Sequence, residues 1–114
     1  MKPTENTDQI ETETATTQAP EQRDYPVKGI PHLDFYRKTY ARSCGENDEK
    51  AVKIFKEFEN QDRVKRVRAE LVAISNGNVS PALCEKILGK VRPIKYESWP
   101  KWAVMMIGAI NSKR

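Results

Sequence analysis

Apolar residues between Asp48 and Ser75 fall into two stripes that do not line up. Ala51, Ile54, Phe55 and Phe58 share one side of an ideal helix. Val64, Val67, Leu71 and Ile74 share the other, about 180° away at roughly 100° per residue. A straight helix cannot press both stripes against one core, so the pattern predicts a break across Glu59-Asn60-Gln61-Asp62. Asn60 is expected to end one helix and Asp62 to N-cap the next.

Three further helices follow from the same reasoning. Residues 32–43 place Leu33, Phe35, Tyr36 and Tyr40 on one face, pair Asp34 with Lys38 at i,i+4, and meet Gly45 as a terminator. Ser80-Pro81 opens a helix with Ser as N-cap and Pro at N1, and Leu83, Ile87, Leu88 and Val91 are its expected buried stripe. Arg92-Pro93 is expected to end that helix, because proline disfavours helical backbone in the residue before it. Residues 94–97 then read as a connector. Ser98-Trp99-Pro100 opens the last helix, with Ser98 or Trp99 at its cap, and that helix is apolar on nearly every side from Trp102 to Ile110. Asn47 is the expected cap of the helix that begins at Asp48, with Asp48 and Glu49 at its electropositive end. Asn76-Gly77-Asn78 stops the helix before it. No run alternates cleanly enough for a strand.

The fold class expected is all-α: a compact bundle of about five short helices over residues 26–114, preceded by a disordered acidic tail over residues 1–25. The tail is rich in Thr, Glu and Gln, and Ile10 is its only bulky aliphatic side chain after Met1. It cannot bury enough apolar area to offset a backbone entropy of about 1–2 kcal/mol per residue. Tyr25–Pro31 reads as a transition in which Val27 and Ile30 are expected to lie extended along the domain surface.

Charge sharpens this division. Of the 114 residues, the first 25 hold six acids against Lys2 and Arg23, whereas the remainder holds eighteen bases against ten acids. A basic body suits nucleic acid, an anionic surface or an acidic protein partner. Cys44 and Cys84 are too few and too far apart for a disulfide framework, and they fit free thiols in a reducing compartment. No charged-then-apolar leader opens the chain, and the longest apolar run is far below the roughly 20 residues of a membrane-spanning helix. A cytoplasmic protein is therefore expected, without a membrane partner.

No catalytic residue, cofactor or metal site is expected. His32 is the only histidine and reads as a capping or surface residue, and one His with two distant Cys fits no zinc spacing. No phosphate loop, nucleophile motif or evident small-molecule site is present. The function expected is a non-catalytic interaction module or small subunit of a larger assembly. A short domain has little interior in which to hide a helix apolar all round, so Trp99, Trp102, Met105, Met106 and Ile110 are the expected partner-binding residues, toward a protein partner or a second copy. The alternative is a nucleic-acid-binding domain. Arg63, Lys65, Arg68, Lys86, Lys90, Arg92 and Lys95 would contact phosphates if the third and fourth helices are neighbours, with Tyr96 and Trp99 stacking on bases.

Overall fold

A computed structural model describes residues 24–112. The expectation of a disordered tail falls outside the described residues, apart from Asp24 and Tyr25. Tyr25 belongs to the domain: it is buried, and Val27 donates its N–H to Asn78 O at 3.1 Å and forms an isolated parallel bridge with Val79. Ile30 is fully buried.

The fold is all-α, with α1 (Pro31–Tyr36), α2 (Asp48–Phe58), α3 (Gln61–Ser75), α4 (Pro81–Leu88), α5 (Val91–Tyr96) and α6 (Trp99–Asn111). A wider π-helical turn, Arg37–Ala41, and a 3-10 turn, Arg42–Cys44, continue α1 until Gly45 reverses the chain at φ 64°. α6 packs chiefly against α3, then α2 and α5, while α1 packs on α3.

The break between α2 and α3 lies where the two stripes change phase. Asn60, not Asp62, caps α3, its side chain accepting Arg63 N–H at 2.8 Å. Asp62 sits in the first turn and pairs instead with Arg66 at 2.9 Å. Short polar side chains at Asn47, Ser80 and Ser98 cap α2, α4 and α6 in the same way. Val64, Val67, Leu71 and Ile74 are all buried, as the pattern predicts. On α2 the buried set is Asp48, Ala51, Val52 and Phe55, whereas Phe58, at the helix end, is 72 % exposed. Lys56 reaches across to the far end of α6, where its ammonium donates to Ala109 O at 2.8 Å and Ser112 O at 2.6 Å. That satisfies carbonyls a helix C-terminus leaves orphaned.

α1 has no side-chain cap of its own. Glu70 of α3 supplies one, accepting His32 N–H at 3.0 Å and Leu33 N–H at 2.7 Å. Glu70, which also stands i,i+4 from Arg66, thereby fastens α1 to α3. Burial pushes the Glu70 carboxyl above its ordinary value, against the two N–H groups that pull it down. The native chain therefore holds this proton more tightly than the unfolded chain. Glu70's contribution to stability is full below the ordinary glutamate value and is lost as pH rises through the raised one. Urea midpoints measured across that window are expected to fall with rising pH in the wild type relative to Glu70→Gln.

The sixth helix, absent from the expectation, arises at Gly89. There φ is 86° and ψ −178°, a backbone region nearly confined to glycine. The guanidinium of Arg37 lies against this position: a Cβ there would sit 3.1 Å from Nη2, and Nη1 donates to Ile87 O at 3.1 Å. The chain turns, and α5 starts at Val91 with Pro93 in its first turn, where a missing N–H leaves no helical bond unmade. Gly89→Ala is expected to cost about 1–3 kcal/mol in thermal or urea unfolding. The contrasting change Gly108→Ala, exposed in α6 with nothing within 4 Å of the added carbon, should stabilise by about 0.5–1 kcal/mol.

Candidate functional site

The most polar part of the interior is built on Asp48, the first residue of α2. Its carboxylate is buried. Oδ1 accepts Tyr36 Oη–H at 2.6 Å and Arg92 Nη2–H at 3.0 Å, and Oδ2 accepts Arg92 Nε–H at 2.7 Å and Trp102 Nε1–H at 2.8 Å. One carboxylate thus ties α1, α2, α5 and α6 together. Arg92 completes its own set with Leu88 O and, at 3.0 Å, Glu46 Oε1. Glu46 is held at φ 63° between Arg92 and Arg37, the latter 3.3 Å away. Burial disfavours the Arg92 charge, but Asp48 and Glu46 outweigh it and hold the guanidinium above its usual value. Burial, then the Asp48 charge, likewise drive the Tyr36 hydroxyl well above the ordinary tyrosine range. Both Asp48 oxygens are spent on these four donors, so the cluster acts as a fastening.

The consequence of that fastening appears on the other side of α5. Arg92 points inward, and at about 100° per residue Val91, Ile94 and Lys95 point outward. Ile94 is 81 % exposed and Val91 63 %. A groove of about 340 Å³ is lined by Tyr25, Ile74, Val79, Pro93, Trp99 and Pro100 among others, and it meets α5 at Pro93. Lys86 on α4, Lys90 just before α5 and Lys95 on α5 are exposed. Lys86 and Lys90 make no ion pair among the described residues, and Lys95 Nζ lies 5.3 Å from the Tyr96 ring centroid. Glu97 is neutralised locally by Lys101 at 2.6 Å. A second, polar cavity of about 210 Å³ is lined by Lys56, Gln61, Val64, Arg68, Ile110 and Ser112.

Most of the residues singled out on the last helix serve the core. Trp99, Trp102, Met106 and Ile110 are buried within the chain itself. Trp99 and Trp102 pack edge to face with ring centroids 5.6 Å apart. The interior accommodates this helix because α3, α2 and α5 surround it. Of the expected partner-binding set, Met105 alone keeps partial exposure, and the outward aliphatic position of α6 is Val104, 61 % exposed.

The expected basic surface divides. Arg92 leaves it altogether, buried against Asp48. The other six stay at least partly exposed. The Arg63 guanidinium lies 3.9 Å from the Phe35 ring centroid, with Nε 3.8 Å from Glu59 and Nη1 3.5 Å from His32 Nδ1. Arg68 donates to Asn111 Oδ1 at 3.0 Å, and Lys65 is exposed. The third and fourth helices are not principal neighbours, since α3 packs on α6 and α1, and α4 on α1. Lys86, Lys90 and Lys95 thus sit on different elements from Arg63, Lys65 and Arg68 of α3. Trp99 is committed to the core, and the Tyr96 hydroxyl is buried without a hydrogen-bond partner, so neither ring is presented for base stacking.

Val91 and Ile94 were missed in the sequence because continuing α4 through Gly89 puts Val91 on the buried stripe. The available signal was Gly89 itself, where the helical phase resets. Among the described residues, no group of three or more His, Cys, Asp or Glu is placed to hold a metal ion, and no helix is long and apolar enough to cross a membrane. Both cysteines are free; burial pushes the Cys84 thiol up to about 12. These features define a small all-helical domain with a buried polar fastening and one outward apolar face. Comparison with protein-family models, with curated proteins and with solved structures finds no match.

Proposed function

We propose that this chain is a non-catalytic helical interaction module, or a small subunit of a larger assembly, and that its docking surface is the outward face of α5 with the adjoining groove. The observation that supports this is the pairing of Ile94 and Val91, both well exposed, on a helix whose orientation is fixed from behind by the Arg92–Asp48 pair. Single exposed aliphatics are ordinary on protein surfaces. Two on one short helix resemble the anchor region of an interface, where apolar residues concentrate at the centre and charges at the rim. Lys95, exposed on the same face of α5, supplies such a charge. The two free cysteines suit a reducing, cytoplasmic setting.

The test is capture by the purified chain after nuclease treatment, with Ile94→Asp and Val104→Asp compared against the wild type. Loss of capture in Ile94→Asp with retention in Val104→Asp is expected. Equal capture by all three overturns the assignment to α5.

A second reading, nucleic-acid binding, draws on Lys86, Lys90 and Lys95, which follow one another from α4 into α5. It expects affinity to fall steeply with salt, by a log–log slope of about 0.7–0.9 per phosphate neutralised. Charge reversal of the three lysines should flatten that slope, and a slope unchanged by the reversal discards the reading.

A further inference from the structure

We infer that the polar cavity at the C-terminal end of α6 is a phosphoryl-binding site, which seats free phosphate or the phosphate of a small monoester between Lys56 and Arg68. The site is separate from the α5 surface, since its lining comes from α2, the first half of α3 and the end of α6.

Donors converge there and acids do not. The cavity, about 210 Å³, is lined by Lys56, Gln61, Val64, Arg68, Ile110 and Ser112. Every polar side chain in that set carries N–H or O–H donors, two of them are cationic, and none is Asp or Glu. Acids close by in sequence are engaged elsewhere. Asp62 pairs with Arg66 at 2.9 Å, and Glu59 accepts the Tyr40 hydroxyl at 2.8 Å and faces Arg63 Nε at 3.8 Å. Glu57 is exposed and stands outside the lining.

Both cations are held in place with donors to spare. The Lys56 ammonium donates to Ala109 O and Ser112 O, which leaves its third proton a 3.4 Å contact with Ser112 Oγ. That contact is longer than the usual roughly 2.7–3.2 Å, so an anion oxygen in the cavity replaces it with gain. Arg68 is fixed by its Nε–H, donated to Asn111 Oδ1 at 3.0 Å, and its Nη1 and Nη2 make no hydrogen bond among the described residues. A guanidinium anchored in this way presents its terminal N–H groups as a rigid fork, the geometry that phosphate and carboxylate oxygens match. Both side chains are partly buried, so their charges are less screened than those of a fully solvated lysine. Gln61 is the first residue of α3, whose electropositive end therefore borders the same cavity. The opposing electronegative end of α6 is already covered by Lys56.

The number of oxygens and the volume select the ligand. A carboxylate offers two oxygens in one plane. A phosphoryl group offers three around a tetrahedron, enough to meet the Arg68 fork and the Lys56 proton together. At about 210 Å³ the cavity is smaller than the roughly 300–1,000 Å³ of sites that enclose drug-sized molecules, so the phosphoryl group itself, and not a bulky substituent, is what it receives.

The experiment titrates the full chain with sodium phosphate, and separately with glycerol phosphate, at constant ionic strength, followed by proton–nitrogen correlation spectra, with sodium acetate as the comparison anion. The expected result is saturable movement of the Gln61, Asn111 and Ser112 amides and of the Arg68 Nε–H with phosphate, and binding several-fold weaker with acetate. Arg68→Gln should weaken the apparent affinity by about tenfold or more, as loss of a hydrogen bond to a charged group does. Arg68→Lys keeps the charge without the fork and should fall between the two. It carries the test if Arg68→Gln melts below the wild type. Lys86→Gln and Ile94→Asp should bind phosphate like the wild type, so failure of the α5 surface and failure of this site are read apart. Glycerol phosphate binding several-fold tighter than phosphate assigns the occupant to a monoester, whereas equal or weaker binding assigns it to free phosphate. Equal affinity in the wild type and in both Arg68 variants overturns the proposal. So does movement of the same size with acetate, movement at Lys86 and Lys95 in place of the cavity, or no saturable movement at all.

Discussion

Asp48→Ala is expected to lower the stability of the domain by about 3–5 kcal/mol, the range for removing one partner of a buried ion pair. At roughly 4–8 °C per kcal/mol for a domain of this size, the melting temperature falls by more than about 12 °C. The reason is what remains behind. Arg92 keeps its charge, buried, with only Glu46 and the Leu88 carbonyl to compensate it. Tyr36 Oη and Trp102 Nε1 each lose their acceptor. Buried donors left unmatched lose their hydration without recovering it. The companion variant Arg92→Met, which removes the other charge, separates the terms when combined with Asp48→Ala. Removing both should cost much less than the sum of the two single changes, because neither charge is then stranded. Thermal and urea unfolding of the four proteins measures this directly, and additive losses would show that the pair is not coupled.

Trp102→Ala is expected to cost about 3–5 kcal/mol, the usual range for truncating a fully buried aromatic residue. From the sequence, the side chain reads as a partner contact. The structure reverses that expectation. Trp102 is fully buried, packs edge-on with Trp99, and donates to Asp48. The truncated chain should therefore lose helical circular dichroism at a temperature where the wild type keeps it. Trp102→Phe divides the effect: it keeps most of the packing, deletes one of the four donors to Asp48, and should fall between the other two. Retention of the full wild-type melting temperature in Trp102→Ala would mean that the helix is held by its other contacts.

The helix boundaries were legible wherever local chemistry sets them. The phase shift between Phe58 and Val64 located the α2–α3 break, and Asn47, Ser80 and Ser98 announced the helix starts that they cap. Asn60 against Asp62 was a choice between two good caps two residues apart. What stayed hidden depends on partners far along the chain. Asp48 and Arg92 are 44 residues apart, so Asp48 read as a dipole partner and Arg92 as a surface cation. Glu70 lies 38 residues from His32, while its i,i+4 spacing from Arg66 points to a local pair instead. Trp99, Trp102, Met106 and Ile110 were recognised as apolar, but whether a greasy helix meets its own domain or another is decided by three neighbours that periodicity does not identify. Val91 and Ile94 followed from one glycine, whose positive φ turned the expected tail of α4 into a separate helix.

The manner in which α5 is attached separates two kinds of freedom. A single guanidinium secures a helix of six residues from the inside, so the identity of Val91, Ile94 and Lys95 is almost irrelevant to folding. Those three positions are open to randomisation, and a library varied there alone should yield members that melt like the parent while differing in what they adhere to.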